Sequence, residues 1–114
     1  MEFKKQKPIY LQIAESLCDR ILAGEWDADG RIPSVRDVAS DLGVNPNTVM
    51  RSFDNLQQAE IIYPRRGMGY YVADDGKNKI IERYRNEFLN EDLPSIRQRM
   101  KFLGLDASIF QDNN

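Results

Sequence analysis

The sequence predicts a mainly α-helical fold carrying one small β-hairpin, and two observations lead there. Apolar residues recur at three- and four-residue steps in several separate stretches, the signature of helices with one buried face. That spacing changes once, between Ile61 and Val72, to two short β-prone runs around a turn rich in glycine. The 114 residues allow one ordinary domain, or a compact module with an appendage, because smaller folds bury too little surface to be divided further. With 41% apolar and 30% charged residues the chain has enough material for a core and is too apolar for a disordered segment.

Taken in order, Pro8 suits a first helical turn, and Tyr10, Ile13, Ala14, Leu17 and Ile21 line one face of a helix that Gly24 closes. Cys18 falls among these positions and, with no second cysteine, is expected to be packed as a small hydrophobe. Glu25 to Arg31 reads as a loop, with Trp26 expected to plug it onto the core. Ser34 caps a second helix, Asp37 serves as a short version of the capping-box glutamate, and Val35, Val38, Ala39 and Leu42 form the apolar face up to Gly43. Asn45 caps a third helix with Pro46 at its first position; Val49, Phe53 and Leu56 point inward, and Asn47, Thr48 and Arg51 outward.

Ile61 to Tyr63 and Tyr70 to Val72 are the expected strands, with a basic tip from Pro64 through Arg65, Arg66, Gly67 and Met68 to Gly69. Beyond Gly76 the helical spacing returns, with Ile80, Ile81, Tyr84 and Phe88 on one side. Leu93 and Pro94 are expected to break that helix, and Ser95 to Leu103 to form another, with Ile96, Met100 and Leu103 inward before Gly104. The expected organisation is a domain over residues 1–75 and a tail of two or three helices over residues 76–114.

Composition narrows the function. There is no histidine and one cysteine, so the usual metal ligands and the usual acid–base side chain are missing, and no metal or cofactor is expected. Asp27 and Asp29 could serve an enzyme only with further groups, and no nucleophile with a base and no phosphate-cradling loop accompanies them; an enzyme is not expected. No apolar stretch approaches the roughly 20 residues of a membrane span. Met1 to Lys7 carry lysines without a following apolar region, so no secretory signal is expected and a cytoplasmic address is. The formal net charge of −2 counts against nucleic-acid binding. Screening, however, limits charge effects to about 8 Å at physiological salt, so the placing of the arginines decides the matter.

Ala39, Gly43 four residues later and Val49 six beyond that have the spacing of a helix-turn-helix. A small residue lets the helices approach, a glycine turns the chain, and a β-branched residue anchors the second helix. In such a motif the start of the second helix enters the major groove, which brings Asn45, Asn47, Thr48 and Arg51 to base edges and phosphates. The free amides at a helix start add an anion site of their own. Arg65 and Arg66 before Gly67-Met68-Gly69 then read as a wing, whose glycines allow close approach and whose arginines neutralise phosphates or enter a narrow minor groove. Arg36 has a plainer reading as the partner of Asp37 or Asp41, and Tyr63, Tyr70 and Tyr71 are read as core and rim, not as a platform for bases.

From Pro8 to Ala73 the chain resembles the GntR-type transcription regulators. The resemblance rests on Pro33-Ser34-Val35-Arg36-Asp37-Val38-Ala39, on Leu42-Gly43-Val44-Asn45-Pro46-Asn47-Thr48-Val49 and on Arg65-Arg66-Gly67-Met68-Gly69-Tyr70-Tyr71-Val72. The Asn-Pro-Asn-Thr-Val run and the short tail are most similar to the YtrA-like subfamily. This implies a winged helix-turn-helix followed by about two helices that pair two subunits, and repression, frequently of operons for ABC-type membrane transporters. It places the family's DNA-contacting serine and arginine on Ser34 and Arg36, and its wing glycine on Gly67 or Gly69. The chain departs from many members in having Pro46 and Met50 where they carry arginines, and Arg51 lies about 100° around the helix from Met50.

The tail has more apolar surface than an appendage of its size can bury alone, so a homodimer through Ile80, Ile81, Tyr84, Phe88, Ile96, Met100 and Leu103 is expected. A two-fold dimer would read the half-sites of a near-palindromic duplex operator. A small-molecule effector between subunits stays open, with no polar cluster to identify it. The alternative is a winged-helix module that binds another protein and not DNA, which the acidic charge favours.

Overall fold

The computed structural model describes residues 6–111; Met1 to Lys5, where the lysine-bearing start was weighed as a signal, and Asp112 to Asn114 lie outside them. Helix α1 spans Ile9–Leu22, α2 Val35–Leu42 and α3 Pro46–Gln58, followed by strands β1 (Ile62–Arg65) and β2 (Gly69–Val72) and by helices α4 (Gly76–Glu87) and α5 (Leu93–Phe102). The chain divides into two compact units, one ending at Ile81 and the other beginning at Glu82.

In the first unit, α1 and α2 both pack on α3. Pro8 stands just ahead of α1, where its carbonyl accepts from the Leu11 and Gln12 amides. The buried face of α1 is Ile13, Ala14, Leu17, Cys18 and Ile21, which includes the cysteine as expected. From α3 come Val49, Ser52, Phe53 and Leu56. Each large side chain fully withdrawn from water here contributes on the order of 1.5–3 kcal/mol, so this interior outweighs any single surface contact. Ser52 is its one buried polar residue among the described residues, and its hydroxyl lies 2.6 Å from the Tyr10 carbonyl and 3.2 Å from that of Thr48. The shorter contact ties α3 to the start of α1, and the longer one shares the hydroxyl's single proton with a carbonyl of its own helix.

The hairpin is antiparallel, with Ile62 opposite Val72, Tyr63 opposite Tyr71, Pro64 opposite Tyr70 and Arg65 opposite Gly69. Alternation along the strands sends Ile62, Tyr70 and Val72 to the core side, where Tyr70 meets Phe53 edge-on at 5.0 Å between ring centres. Strand β1 runs further than expected: Pro64 and Arg65 are within it, and the turn is only Arg66-Gly67-Met68. Proline is tolerated there because β1 lies at the edge of a two-stranded sheet.

Other expectations need correction. Trp26 is only half-buried, because its ring lies under the Arg20 guanidinium, 4.5 Å from the ring centre, and not in the core. Leu42 is 52% exposed; α2 has eight residues and buries only Val38 and Ala39, so its last turn projects past the interior. Leu93 and Pro94 do not break the helix. A π-helical turn over Phe88–Asp92 joins α4 to α5, with the Leu93 amide donating to the Phe88 carbonyl five residues back, and Pro94, which has no amide to offer, falls in the first turn of α5. A 3₁₀ turn over Ala107–Phe110 follows.

Gly76 opens α4 in a place with no room for a side chain: a Cβ would lie 2.8 Å from the Ile61 carbonyl oxygen and 3.1 Å from Val72 Cγ1. Gly76→Ala is therefore expected to destabilise the protein by about 1–3 kcal/mol, as overpacking against backbone does, measured as a lowered urea midpoint with an unchanged m-value.

Candidate nucleic-acid interface

The start of α3 is built by Asn45 and Gly43. Gly43 ends α2 with φ 66°, a left-handed conformation that a side chain would strain, and the space around it is open, so the demand is one of backbone conformation alone. Asn45 Oδ1 then accepts from the Asn47 amide at 2.8 Å. That cap uses the oxygen with which Asn45 would pair an adenine, so of the two asparagines Asn47 keeps its whole side-chain amide available: it is exposed, and no described residue binds it. Thr48 is half-buried beside it. Arg51 is exposed and stacks on the Tyr10 ring at 4.1 Å, which turns it toward the start of α1.

At the start of α2 the Ser34 hydroxyl accepts from the Asp37 amide at 3.0 Å. The reciprocal half of the expected capping box, from the Ser34 amide to the Asp37 carboxylate, is not made among the described residues. Arg36, in the first turn of the helix, is exposed and pairs with neither Asp37 nor Asp41, so its plainer reading as a surface ion pair does not hold.

The two wing arginines differ. Arg66 is exposed at the turn beside Gly67, whose φ is 72°, and no described residue binds it. Arg65 instead folds back over the outer face of the hairpin. Its guanidinium lies 4.2 Å above the Tyr71 ring and donates to the Tyr63 hydroxyl at 2.9 Å, and that hydroxyl donates in turn to Asp29 Oδ1 at 2.7 Å. The Tyr63 and Tyr71 rings are stacked at 5.9 Å, and the Tyr71 hydroxyl donates to the Met68 carbonyl, which braces the turn. The tyrosines set aside as core and rim thus form the bed that holds Arg65. Tyr63 and Arg65, two residues apart on one strand, share a face, and this spacing was the available signal.

The relay shifts its members. The Tyr63 hydroxyl, with help from Asp74, holds the Asp29 carboxyl below its ordinary value of 3.8, while the bond to Asp29 raises Asp74 and the bond that Arg65 donates to the Tyr63 hydroxyl raises Arg65. Arg65 therefore keeps its charge, yet spends part of its hydrogen-bonding capacity inside the chain.

The candidate dimer residues are placed unevenly. Ile80 is fully buried in the core of its own unit and cannot face a second subunit, which corrects that expectation. Ile81, Phe88, Ile96 and Leu103 are exposed, Leu103 at 67%, and Tyr84 and Met100 are half-buried. Among the described residues no helix is long and apolar enough to cross a membrane.

Comparison with known proteins agrees with this geometry. The family of bacterial regulatory proteins described as gntR matches residues 9–72. Two Bacillus subtilis proteins are similar over 91% of this chain: the uncharacterized HTH-type transcriptional regulator YhcF, 36% identical over 84% of its own length, and the HTH-type transcriptional repressor YtrA, 30% identical over 74% of its length. A solved structure of a GntR-family transcriptional regulator from Bacteroides thetaiotaomicron is 43% identical, with a TM-score of 0.77 over 90% of this chain and 89% of that one. The DNA-binding domain of AraR, solved in complex with the operator ORR3, is similar to 64% of this chain over 88% of its own, with 25% identity and a TM-score of 0.59.

Replacing Tyr63 with Phe removes the hydroxyl between Asp29 and Arg65 while keeping the ring. A carboxyl whose folded value is depressed adds stability above its ordinary value and loses it as pH falls through the depressed one, so the Asp29 tie is intact at neutral pH and is lost only below 3.8. In Tyr63→Phe the Asp29 carboxyl is expected to titrate closer to 3.8, measured by NMR of its carboxyl carbon.

Proposed function

The chain belongs to the GntR family of bacterial regulatory proteins and is a DNA-binding transcription regulator, and on that premise we propose that it is a cytoplasmic repressor working as a homodimer on a near-palindromic operator. The observation that carries this reading is a set of exposed side chains, with no partner among the described residues, at the three places where such a protein meets a duplex. These are Arg36 at the start of α2, Asn47 at the start of α3 and Arg66 at the wing turn. Asn47 reads a base, since a free carboxamide can pair two-fold with adenine in the major groove. Arg36, Arg66 and the α2 cap at Ser34 hold phosphates, and Thr48 and Asn45 frame the helix start through their backbone. Arg51, turned toward α1, holds the backbone rather than a base. Gly67 and Gly69 let the wing lie close to the groove wall.

Residues 1–75 serve as the DNA-binding head and residues 76–114 as the pairing tail in this reading. The tail supports it by its apolar exposure: Phe88, Leu89, Phe102, Leu103, Ile109 and Phe110 all stand in water in a single chain. The relative named a repressor, YtrA, supports repression, and the YtrA-like proportions support a membrane-transporter operon as the target.

The test is fluorescence anisotropy of the purified protein with a duplex from its own upstream region and with a scrambled duplex, across a salt series. Tight binding that prefers the first and weakens with salt is the expected result; failure of a folded dimer to bind either would hand the surface to the protein-interaction reading. Asn47→Ala should cost about 1–3 kcal/mol of discrimination between the duplexes. Arg66→Ala should weaken both alike and reduce the salt slope by about 1, and Arg65→Ala should do so less. Replacing Phe102 and Leu103 with Asp should convert the dimer to a monomer in analytical ultracentrifugation.

A further inference from the structure

Arg31 lies in the loop ahead of α2, with no role evident from its place in the sequence. In the structure this segment is a third edge of the wing. Arg31 bridges Tyr71 in antiparallel fashion, the Ile32 amide donates to the Tyr70 carbonyl, the Asp29 amide donates to the Val72 carbonyl, and the Val72 amide donates back to the Gly30 carbonyl. Directly opposed residues put their side chains on the same side of a sheet, and alternation along β2 adds Gly69 to that side. Arg31 therefore shares the outer face with Tyr71, Gly69, Tyr63 and Arg65.

Its head group is placed by the bare backbone at Gly69. A Cβ on Gly69 would lie 3.2 Å from Arg31 Nε and 3.4 Å from its Nη2, so the guanidinium runs along β2 where any other residue would displace it. Gly69 is also the cross-strand partner of Arg65, so two cations converge on the tip end of one face. Like charges set on adjacent strands are destabilising unless something negative joins them. Among the described residues no carboxylate does so for Arg31. Asp29, two residues earlier on the same edge, accepts from the Tyr63 hydroxyl instead, and Arg31 is exposed with no ion pair or hydrogen bond from its side chain among the described residues. Arg20, by contrast, is held bidentately by Glu25 at 2.8 Å.

We propose that Arg31 is a third cation of the wing, a phosphate-binding residue that lies on the Gly69 backbone and clamps the duplex backbone from the edge opposite β1. The inference rests on the DNA-binding reading above and adds to it a residue outside both the helix-turn-helix and the hairpin. A guanidinium suits the task because it presents several donors in a plane to phosphate oxygens. A contact of this kind carries no sequence information.

The experiment compares the full-length wild type with Arg31→Ala and Arg31→Lys by anisotropy on the upstream and scrambled duplexes over a salt series, after circular dichroism shows equal folding. Arg31→Ala is expected to weaken both duplexes equally, by about fivefold at 0.15 M salt, and to lower the salt slope by about 1, as the loss of one phosphate contact does. Arg31→Lys should restore the slope. Unchanged affinity and slope in Arg31→Ala, with the wild type binding normally, would overturn the inference and leave the regulator intact. A loss confined to one duplex would overturn the phosphate role, and a wild type that binds neither duplex would remove the DNA-binding reading and this one together.

Discussion

The hydrogen bond from Ser52 to the Tyr10 carbonyl fixes where α3 stands, and the rest of the site is measured from α3. A hydroxyl withdrawn from water must find a partner or cost a few kcal/mol, so this bond sets a position that apolar packing alone would leave free to slide. Tyr10 gives its carbonyl to Ser52 and its ring to Arg51, and so orders adjacent residues on α3. On the other side of the helix Phe53 meets Tyr70, which seats the hairpin. Helix and wing are held by two neighbouring residues of one helix turn.

An acidic protein binds a polyanion by distributing its cations among different partners. Arg20 is neutralised by Glu25, far from the site by role if not by sequence. Arg65 is half-committed, stacked on tyrosines and hydrogen-bonded to one of them. Arg31, Arg36 and Arg66 have no partner among the described residues. Net charge counts all of these equally, whereas a phosphate within a screening length responds only to those that are free. The carboxylates follow the same division: Asp29 is occupied by Tyr63, which keeps its charge directed into the relay and away from Arg31.

Helices α1 to α3 and the caps at Ser34 and Asn45 were legible in the sequence because each is specified locally, by spacing and by a side chain that bonds within three residues. The wing was legible as a hairpin for the same reason. What escaped was set by partners distant in the chain. Arg31 belongs to a one-residue bridge with no alternation to reveal it, and Trp26 went to a guanidinium rather than to the core. Ile80 and Ile81 looked equivalent on a helical wheel, and only the first meets the core. The join of α4 to α5 was misread because Pro94 signals a break when the turn before it has ordinary pitch, and a wider turn removes the conflict.

The contact at Gly76 has a mechanical meaning. The Ile61 carbonyl, which accepts from the Ala73 amide, is the same atom against which the α4 backbone rests, and Val72 lies on the other side. With no side chain to flex between them, helix and hairpin behave there as one stiff joint. The first turn of α4 is thereby seated on the two residues, Ile61 and Val72, that frame the base of the hairpin, where its ladder of four residue pairs begins.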